Sequence, residues 1–427
     1  MKRGIAFVLM AMLLLSFTAC GNGNVPEGNA GSQQVETVAP EKKVTLKLWQ
    51  WRQEIVESLE EVLDEYTKQN PHVTILSERP GGSQYEVTVK AMMASGENPD
   101  IFAVRAWSQT KEYAEAGQVL EFTDEPFMSV VSDFAKETVN VNGKLYGLPM
   151  QVDGGGIIYN KKVFEEANID KLPETITELS EVCEKLKEKG FIPFAAAHKD
   201  WWTLRELFSY LHTQSTDLIQ FSEAMNMGNE SFKNAKMDQA MKVIDIINDN
   251  CNEKPMDSDY NNACALIAQG KAGMMVQGLW SIPVIEKVNP DFDGGFIPVP
   301  ISDTAGEARL SADITVAFHI YPESENIEES KKLLTWFTQK ETAKLFAEKC
   351  GFLPPFEGAA PPIGGGSVWN DMVVHVEKGN VVPFGYSIWP TGFDVQVGQL
   401  MQGYCIGQYD SEQLYNQLDE TWKSFIK

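Results

Sequence analysis

A strand, a helix and a second strand follow one another where the globular part of the chain begins, and this order constrains the fold most. Residues 44–48 alternate apolar and polar side chains, which is the period of a half-buried strand. Apolar residues then repeat at helical spacing over 55–66, and Asn70-Pro71 is expected to end that helix. A second strand is predicted over 72–77. Strand, helix and strand in this order predict a βαβ unit, in which the two strands are parallel.

The alternation of strands and helices continues, so an α/β fold is expected. A chain of 427 residues is too long for one ordinary core and favours two lobes. Further strands are predicted at 100–104, 146–150, 155–159, 273–276, 294–297 and 314–320. Helices are predicted at 176–189, 203–214, 235–250, 263–269, 327–338, 341–349, 369–377, 393–403 and 411–426.

The net charge limits the classes of molecule that this protein is expected to bind. The chain has 60 acidic and 36 basic residues, a net charge of −24. Such an acidic surface repels DNA, RNA and anionic membranes, so no nucleic-acid partner is expected. A neutral ligand suits it better than an anionic one.

The N-terminal residues indicate export. Lys2-Arg3 precedes an apolar run over 5–15 that is too short to span a bilayer. Small residues lead up to Cys20, so residues 1–19 are predicted to be a signal peptide. The segment resembles the bacterial lipobox, in which the cysteine is lipidated, although Phe17 stands where that motif usually has Leu. An ordinary signal peptide is the alternative. Residues 20–43 are rich in Gly, Asn, Pro and Glu and are predicted to be a flexible tether.

The other cysteines and the histidines indicate neither a metal site nor a cofactor. Five cysteines remain after Cys20, so at least one is unpaired. Cys183 lies on the apolar stripe of a predicted helix and is expected to be buried. Cys251 and Cys264 are a possible disulfide pair, which the sequence leaves open. No C-x-x-C motif occurs and the five histidines are scattered.

Four segments, in order, resemble the solute-binding proteins of ATP-binding-cassette (ABC) sugar importers, the maltose-binding-protein-like family 1. The strongest match combines Asn-Gly-Lys-Leu-Tyr-Gly-Leu-Pro at 142–149 with the Tyr-Asn-Lys…Phe-Glu-Glu-Ala pattern at 159–167. The others are Ser-Gly-Glu-Asn-Pro-Asp-Ile at 95–101, the Gly-rich segment 270–280 that ends at Trp280, and the helix pair at 330–349 leading into Gly-Phe-Leu-Pro. Together they span nearly the whole exported chain.

The resemblance implies a two-lobed, periplasmic-binding-protein-like (type II) α/β fold with a hinge and an interlobe ligand cleft. Lobe 1 would comprise residues 44–151 and 313–360, and lobe 2 residues 152–312 and 361–427. Gly147 and Pro149 would stiffen one crossing segment, and Gly154-Gly155-Gly156 would loosen the next, which suits a hinge. The three glycines lack the Gly-Lys-Ser/Thr that would complete a phosphate loop.

The candidate ligand-binding residues combine aromatic platforms for apolar sugar faces with fixed groups for hydroxyls. Most follow predicted strands or lie at the crossings, where a cleft is expected. In the resembled family the tryptophan matching Trp280 stacks on a sugar ring. The candidates are Trp51, Gln84, Arg105, Trp107, Gln151, Asp153, Trp202, Trp280, Asp313, Tyr386 and Trp389.

Each candidate also has an ordinary structural interpretation. An isolated tryptophan is more often core, and Arg105 could pair with an acid such as Glu78. One of Trp49 and Trp51 is expected to face the core, and either Trp201 or Trp202 could face the cleft.

The function expected from the resemblance is capture of a carbohydrate, more specifically an oligosaccharide. A monomeric, lipid-anchored protein outside the cell would close around it and deliver it to an ABC permease. No catalytic motif is present, so an enzyme is not expected, and a surface glycosidase is the weakest interpretation. The sequence also leaves open a non-sugar solute such as a polyamine, and a role as a surface adhesin or sensor accessory.

Overall fold

A computed structural model describes residues 42–359 and 361–426. The predicted signal peptide, the lipidation site at Cys20 and nearly all of the tether lie outside these residues. Among the described residues, no helix is both long and apolar enough to cross a membrane.

Strands and helices alternate along the described chain, as the sequence predicts. The strands are β1 (Val44–Trp49), β2 (Val73–Glu78), β3 (Ile101–Val104), β4 (Asn140–Val141), β5 (Lys144–Leu145), β6 (Leu148–Asn160), β7 (Ile192–Phe194), β8 (Ala272–Gly278), β9 (Gly294–Ile297), β10 (Leu310–Ile320) and β11 (Val381–Val382). The helices are α1 (Val56–Gln69), α2 (Tyr85–Ala94), α3 (Ser108–Glu115), α4 (Asp133–Glu137), α5 (Lys161–Glu166), α6 (Ile176–Glu188), α7 (Trp201–Ser215), α8 (Leu218–Asn226), α9 (Ala235–Asp249), α10 (Tyr260–Ala268), α11 (Ile282–Val288), α12 (Ile327–Phe337), α13 (Lys340–Cys350), α14 (Val368–Glu377), α15 (Gly385–Ile388), α16 (Phe393–Cys405) and α17 (Ser411–Phe425).

The main sheet has the order β2-β1-β3-β10-β6-β8-β7, with β11 beside β10 and β9 beside β6. Strands β1 and β2 are parallel, with Val44 opposite Val73, so the predicted βαβ unit is confirmed. The long strands β6 and β10 are antiparallel and lie in the middle. They join the β1–β3 group at one end to the β7–β9 group at the other.

Strand β6 is one continuous strand, whereas the sequence predicted two separate crossings. None of its three glycines has a positive φ, and whether they loosen the strand as part of a hinge remains a prediction. What they do allow is close packing. A Cβ atom on Gly155 would lie 2.3 Å from the Tyr210 ring, and one on Gly156 would lie 2.5 Å from the carbonyl oxygen of Ile297. The conformational freedom of glycine is used at Gly147, where φ is +84°.

Several helices were missed by the sequence prediction. The segment after Gly81-Gly82, for which no helix was predicted, is a short 3₁₀ turn followed directly by α2. Helices α3 and α8 were also missed. Helix α3 has few apolar residues from which helical periodicity could be read, and tertiary packing buries its Tyr113.

The described cysteines are all free, so Cys251 and Cys264 are not bonded to each other. Cys183 is fully buried, as predicted. The lobe boundaries inferred from the resemblance remain predictions.

Candidate functional site

A cavity of about 520 Å³ is the main candidate site in the described part of the chain. Its wall includes the segment that links β1 to α1 and the first turns of three helices. Tyr85, Trp201 and Tyr260 are the first residues of α2, α7 and α10, and each lines the cavity. The volume lies within the range of small-molecule sites.

Aromatic side chains provide much of the cavity wall. They are Trp51, Tyr85, Trp201, Trp202, Tyr260, Trp280 and Tyr386. Trp202 packs against Tyr260 with ring centroids 5.0 Å apart, and Trp51 lies 5.6 Å from Tyr85. Packed neighbours hold these rings in place, so flat apolar faces are presented without a large entropy cost on binding.

The sequence left open which tryptophan of each pair, Trp49/Trp51 and Trp201/Trp202, faces the cavity, and the two pairs differ in this respect. Trp49 is fully buried in a core with Phe102, and its indole N–H donates to Glu78, so Trp51 is the one that lines the cavity. Trp201 and Trp202 both line it.

Arg105 lies in a charged cluster at the cavity wall. Its Nη1 atom is 3.0 Å from Asp394 Oδ2 and 3.3 Å from Glu86 Oε1, so Arg105 does pair with acids, although Glu78 is not one of them. Arg205 Nη1 donates to the same Asp394 oxygen at 2.9 Å. Burial acts to raise the pKa of Asp394, but the charges of Arg105 and Arg205 outweigh it and hold that pKa below its usual value.

Tyr386 stacks on this cluster. The Arg205 guanidinium carbon lies 4.0 Å from the centre of the Tyr386 ring, and that of Arg105 lies 5.5 Å from it. A cation over an aromatic face is attracted by the ring quadrupole, more strongly where water is excluded. The three side chains therefore form a rigid part of the wall.

Asp153 and Gln151 lie behind the wall and do not line the cavity. Asp153 is fully buried on β6 and pairs with Arg52 Nη2 at 2.6 Å. It also accepts hydrogen bonds from the Thr315 hydroxyl and, at 2.6 Å, from Gln151 Nε2. Arg52 reaches the cavity, where its guanidinium carbon lies 5.4 Å from the Trp280 ring centre. The hydrogen bonds of Asp153 all go to protein side chains and none points into the cavity. Its role is therefore to orient Arg52, which does reach the cavity.

Asp313, which is buried, and Trp107, which is partly buried, form a second hydrogen-bonded pair outside the cavity wall. The Trp107 indole N–H donates to Asp313 Oδ1 at 2.8 Å, and the backbone N–H groups of Ile314 and Phe384 donate to the same carboxylate. Burial raises the pKa of Asp313 to about 6, although these hydrogen-bond donors act to lower it. Trp107 has a φ of +62°, an uncommon conformation for a bulky residue. The hydrogen bond to Asp313 helps to hold it there.

Trp389 lies in an aromatic core and not at the cavity. It is 1% exposed and packs against Phe208, His212 and Phe393. The cavity thus brings together six predicted residues, which are Trp51, Gln84, Arg105, Trp202, Trp280 and Tyr386. Ligand contact by any predicted residue remains a prediction.

Several wall residues were not predicted. Arg52, Glu54 and Arg79 follow β1 or β2, and Arg205 lies one turn into α7. The first three follow predicted strands, which is the signal used for Arg105, so a stricter application of it would have found them. No group of three or more His, Cys, Asp or Glu residues in the described chain is arranged to hold a metal ion.

Comparison with known proteins identifies the family. A family model described as a bacterial extracellular solute-binding protein matches residues 52–344. The chain belongs to this family. Among its relatives is the multiple sugar-binding protein of Streptococcus mutans, which is 25% identical over 313 residues, covering 70% of this chain and 72% of that protein.

Solved structures show the same fold for this solute-binding protein. RafE in complex with raffinose superposes with a TM-score of 0.79 at 22% identity, covering 90% of this chain and all of that one. A chitin oligosaccharide binding protein gives 0.78 at 21% identity, with coverage of 90% and 98%. The fold is the two-lobed type II α/β fold, as the sequence resemblance implied.

Proposed function

We propose that this protein captures an oligosaccharide outside the cell and delivers it to an ABC permease. A single observation carries the proposal: one cavity combines seven aromatic side chains with charged groups that are held in place by buried partners. Sugars need both kinds of group, since their faces are apolar and their edges carry hydroxyls. The multiple sugar-binding relative and the raffinose complex support this ligand class.

Capture would occur by hinge closure. Strands β6 and β10 join the two ends of the main sheet, so bending there would move the ends relative to each other. A ligand that contacts both sides of the cavity binds the closed state better and shifts the population towards it. The permease would recognise that closed state, and the ligand would be released chemically unchanged. A lipid on Cys20 would keep the monomeric protein at the outer face of the cell membrane.

A polyamine is the second candidate ligand. Six acidic residues line the cavity, namely Glu54, Glu86, Asp200, Glu206, Asp259 and Asp394, against four arginines. Most of the arginines have acidic partners, and Asp394 and Glu206 are held by Arg205. The acids that lack such partners would attract a cation.

The test is ligand-induced stabilisation of residues 21–427, measured by thermal shift and tryptophan fluorescence with raffinose, maltotriose, chitotriose and spermidine. A ligand at a hundredfold excess over its Kd stabilises the native state by about 2.7 kcal/mol. We expect one glycan to raise Tm. Trp280→Ala should weaken its binding at least about tenfold, because a buried cavity ring is lost, while Trp280→Phe should lose less.

The pattern of responses separates the candidates. A response to spermidine alone would replace the sugar by a polyamine, and release of reducing ends from the bound glycan would indicate an enzyme. No response to any of the three glycans would reject this ligand class.

A further inference from the structure

Cys251 and Cys405 differ from the other cysteines of the described chain, because both are partly exposed. Cys251 follows α9 by two residues, and Cys405 is the last residue of α16. The remaining three, which are Cys183, Cys264 and Cys350, are buried within helices. A thiol that a reagent can reach is open to oxidation, whereas a buried structural thiol is inert.

The C-terminal ends of α9 and α16 are held side by side by hydrogen bonds. Asn248 Nδ2 donates to the backbone oxygen of Cys405 at 3.2 Å, and the Tyr404 hydroxyl donates to Asp245 Oδ1 at 2.7 Å. The Cys251 thiol in turn donates to the backbone oxygen of Asn248 at 3.1 Å. Asn248 therefore contacts both cysteines, one through its side chain and the other through its backbone.

The two thiols are also close enough to influence each other's ionisation. Burial, and after it the charge of an ionised Cys251, raises the pKa of Cys405 to about 12, with a smaller contribution from Asp245. Burial raises the pKa of Cys251 to about 11, and the charge of Asp249 adds to the rise. At neutral pH both side chains are uncharged thiols, so no charge repulsion between them opposes close approach.

We propose that Cys251 and Cys405 form a disulfide bond in the exported protein, and that this bond ties the ends of α9 and α16 together. The free thiols of the structure are then its reduced form. Disulfides form and persist outside the cell, where proteins of this family act. The bond takes the place of the Cys251–Cys264 pair that the sequence left open.

The oxidant is another disulfide, carried by an extracellular thiol oxidoreductase or by a small molecule such as oxidised glutathione. The Cys251 thiolate attacks that disulfide, forms a mixed disulfide and releases one thiol. The Cys405 thiolate then attacks the Cys251 sulfur and releases the second thiol. Each cysteine loses one proton and one electron, and the oxidant is reduced to two thiols. Thiolates are scarce once burial has raised both pKa values, so the exchange is faster while the chain is still folding.

The cross-link stabilises a helix that builds the cavity wall. Asp394, in the first turn of α16, lines the cavity and accepts a hydrogen bond from Arg205. A bond between segments far apart in the chain stabilises the folded state, mainly by restricting the unfolded chain. Neither cysteine is among the described residues that line the cavity, so ligand affinity should not depend on the bond. The disulfide and the ligand class can therefore be tested separately.

The test is peptide mapping of residues 21–427, which include the whole described chain, after refolding in reduced and oxidised glutathione. Free thiols are alkylated in denaturant, and the unreduced protein is cleaved after glutamate. Glu253 lies between Cys251 and Cys264, so their peptides separate. We expect mass spectrometry to find Cys251 linked to Cys405 and the other three of the five cysteines alkylated.

Thermal unfolding with and without a reductant provides a second readout. Reduction should lower the Tm of the refolded wild type by roughly 3–6 °C, because the constraint on the unfolded chain is lost. Cys405→Ser and Cys251→Ser should each show no effect of the reductant. Cys350→Ala, which changes a cysteine outside the pair, is the matched control and should keep both the linked peptide and the reductant effect.

Two results would overturn the proposal. One is alkylation of both Cys251 and Cys405 after refolding in oxidised glutathione, or a link from either to a different cysteine. The other is an equal effect of the reductant on the wild type and on Cys405→Ser, which would place the redox-sensitive group elsewhere. Neither result would alter the proposed function, since glycan binding is measured independently of this bond.

Discussion

Asp394 shows how one residue connects separate parts of the chain. It is 4% exposed and accepts from Arg105, which follows β3, and from Arg205 on α7. A buried carboxylate shared by two arginines is costly to desolvate. The attraction to the two arginines offsets that cost only while every partner is present.

Asp394→Asn is predicted to destabilise the protein by about 3–5 kcal/mol, because the buried Arg205 and the partly exposed Arg105 lose their shared anion. Glu86→Gln is the matched control. The Glu86 side chain is 32% exposed and lies 3.3 Å from Arg105, so its loss should cost less than about 1 kcal/mol. Urea unfolding at neutral pH measures both changes, and equal costs would contradict the argument from burial.

At the scale of elements, β6 depends on glycine because its neighbours approach the backbone closely. Helix α7 places the Tyr210 ring against Gly155, where no side chain fits. The glycine run that the sequence suggested as a loosened crossing is therefore part of the packed centre of the sheet.

Gly155→Ala is predicted to destabilise the protein by about 1–3 kcal/mol, because the added methyl group overlaps the Tyr210 ring. In a Tyr210→Ala background the same substitution should cost much less, since the overlapping ring is gone. A double-mutant cycle by urea unfolding measures this coupling. Costs that simply add would show that some other contact limits the space at Gly155.

At the scale of the whole molecule, the sheet is divided by its two long central strands. The β1–β3 group reaches the rest of the sheet through β10, and the β7–β9 group through β6. The cavity wall draws residues from both sides, including Glu54 after β1 and Tyr260 on α10. A ligand that bridges the cavity would therefore couple the two halves.

Hinge closure predicts that ligand binding makes the protein more compact. The radius of gyration from small-angle X-ray scattering should fall when a bound glycan of the panel reaches saturation, and Trp280→Ala at the same glycan concentration should show a smaller fall. An unchanged radius of gyration at full occupancy would indicate a rigid site, which would remove closure from the proposed delivery mechanism.

Local sequence patterns were sufficient to predict many of the strands and helices of the fold. The βαβ start, the strand at Gly294–Ile297 and the long C-terminal helices follow from periodicity and from their bounding residues. Helices α2 and α3 were missed, because they are short and their apolar periodicity is weak. Burial against the rest of the protein, which a local pattern does not contain, decides their structure.

The sequence by itself determined the α/β class, the family resemblance and six of the residues that line the cavity, because strand ends and aromatic residues are local features. Only the tertiary structure decided that Trp389 packs in a core, that Asp153 orients Arg52, and that Arg105 pairs with Asp394. Each of these outcomes depends on partners far away in the chain. A side chain's exposure and hydrogen bonds are set by those partners, so they become known only when the chain is folded.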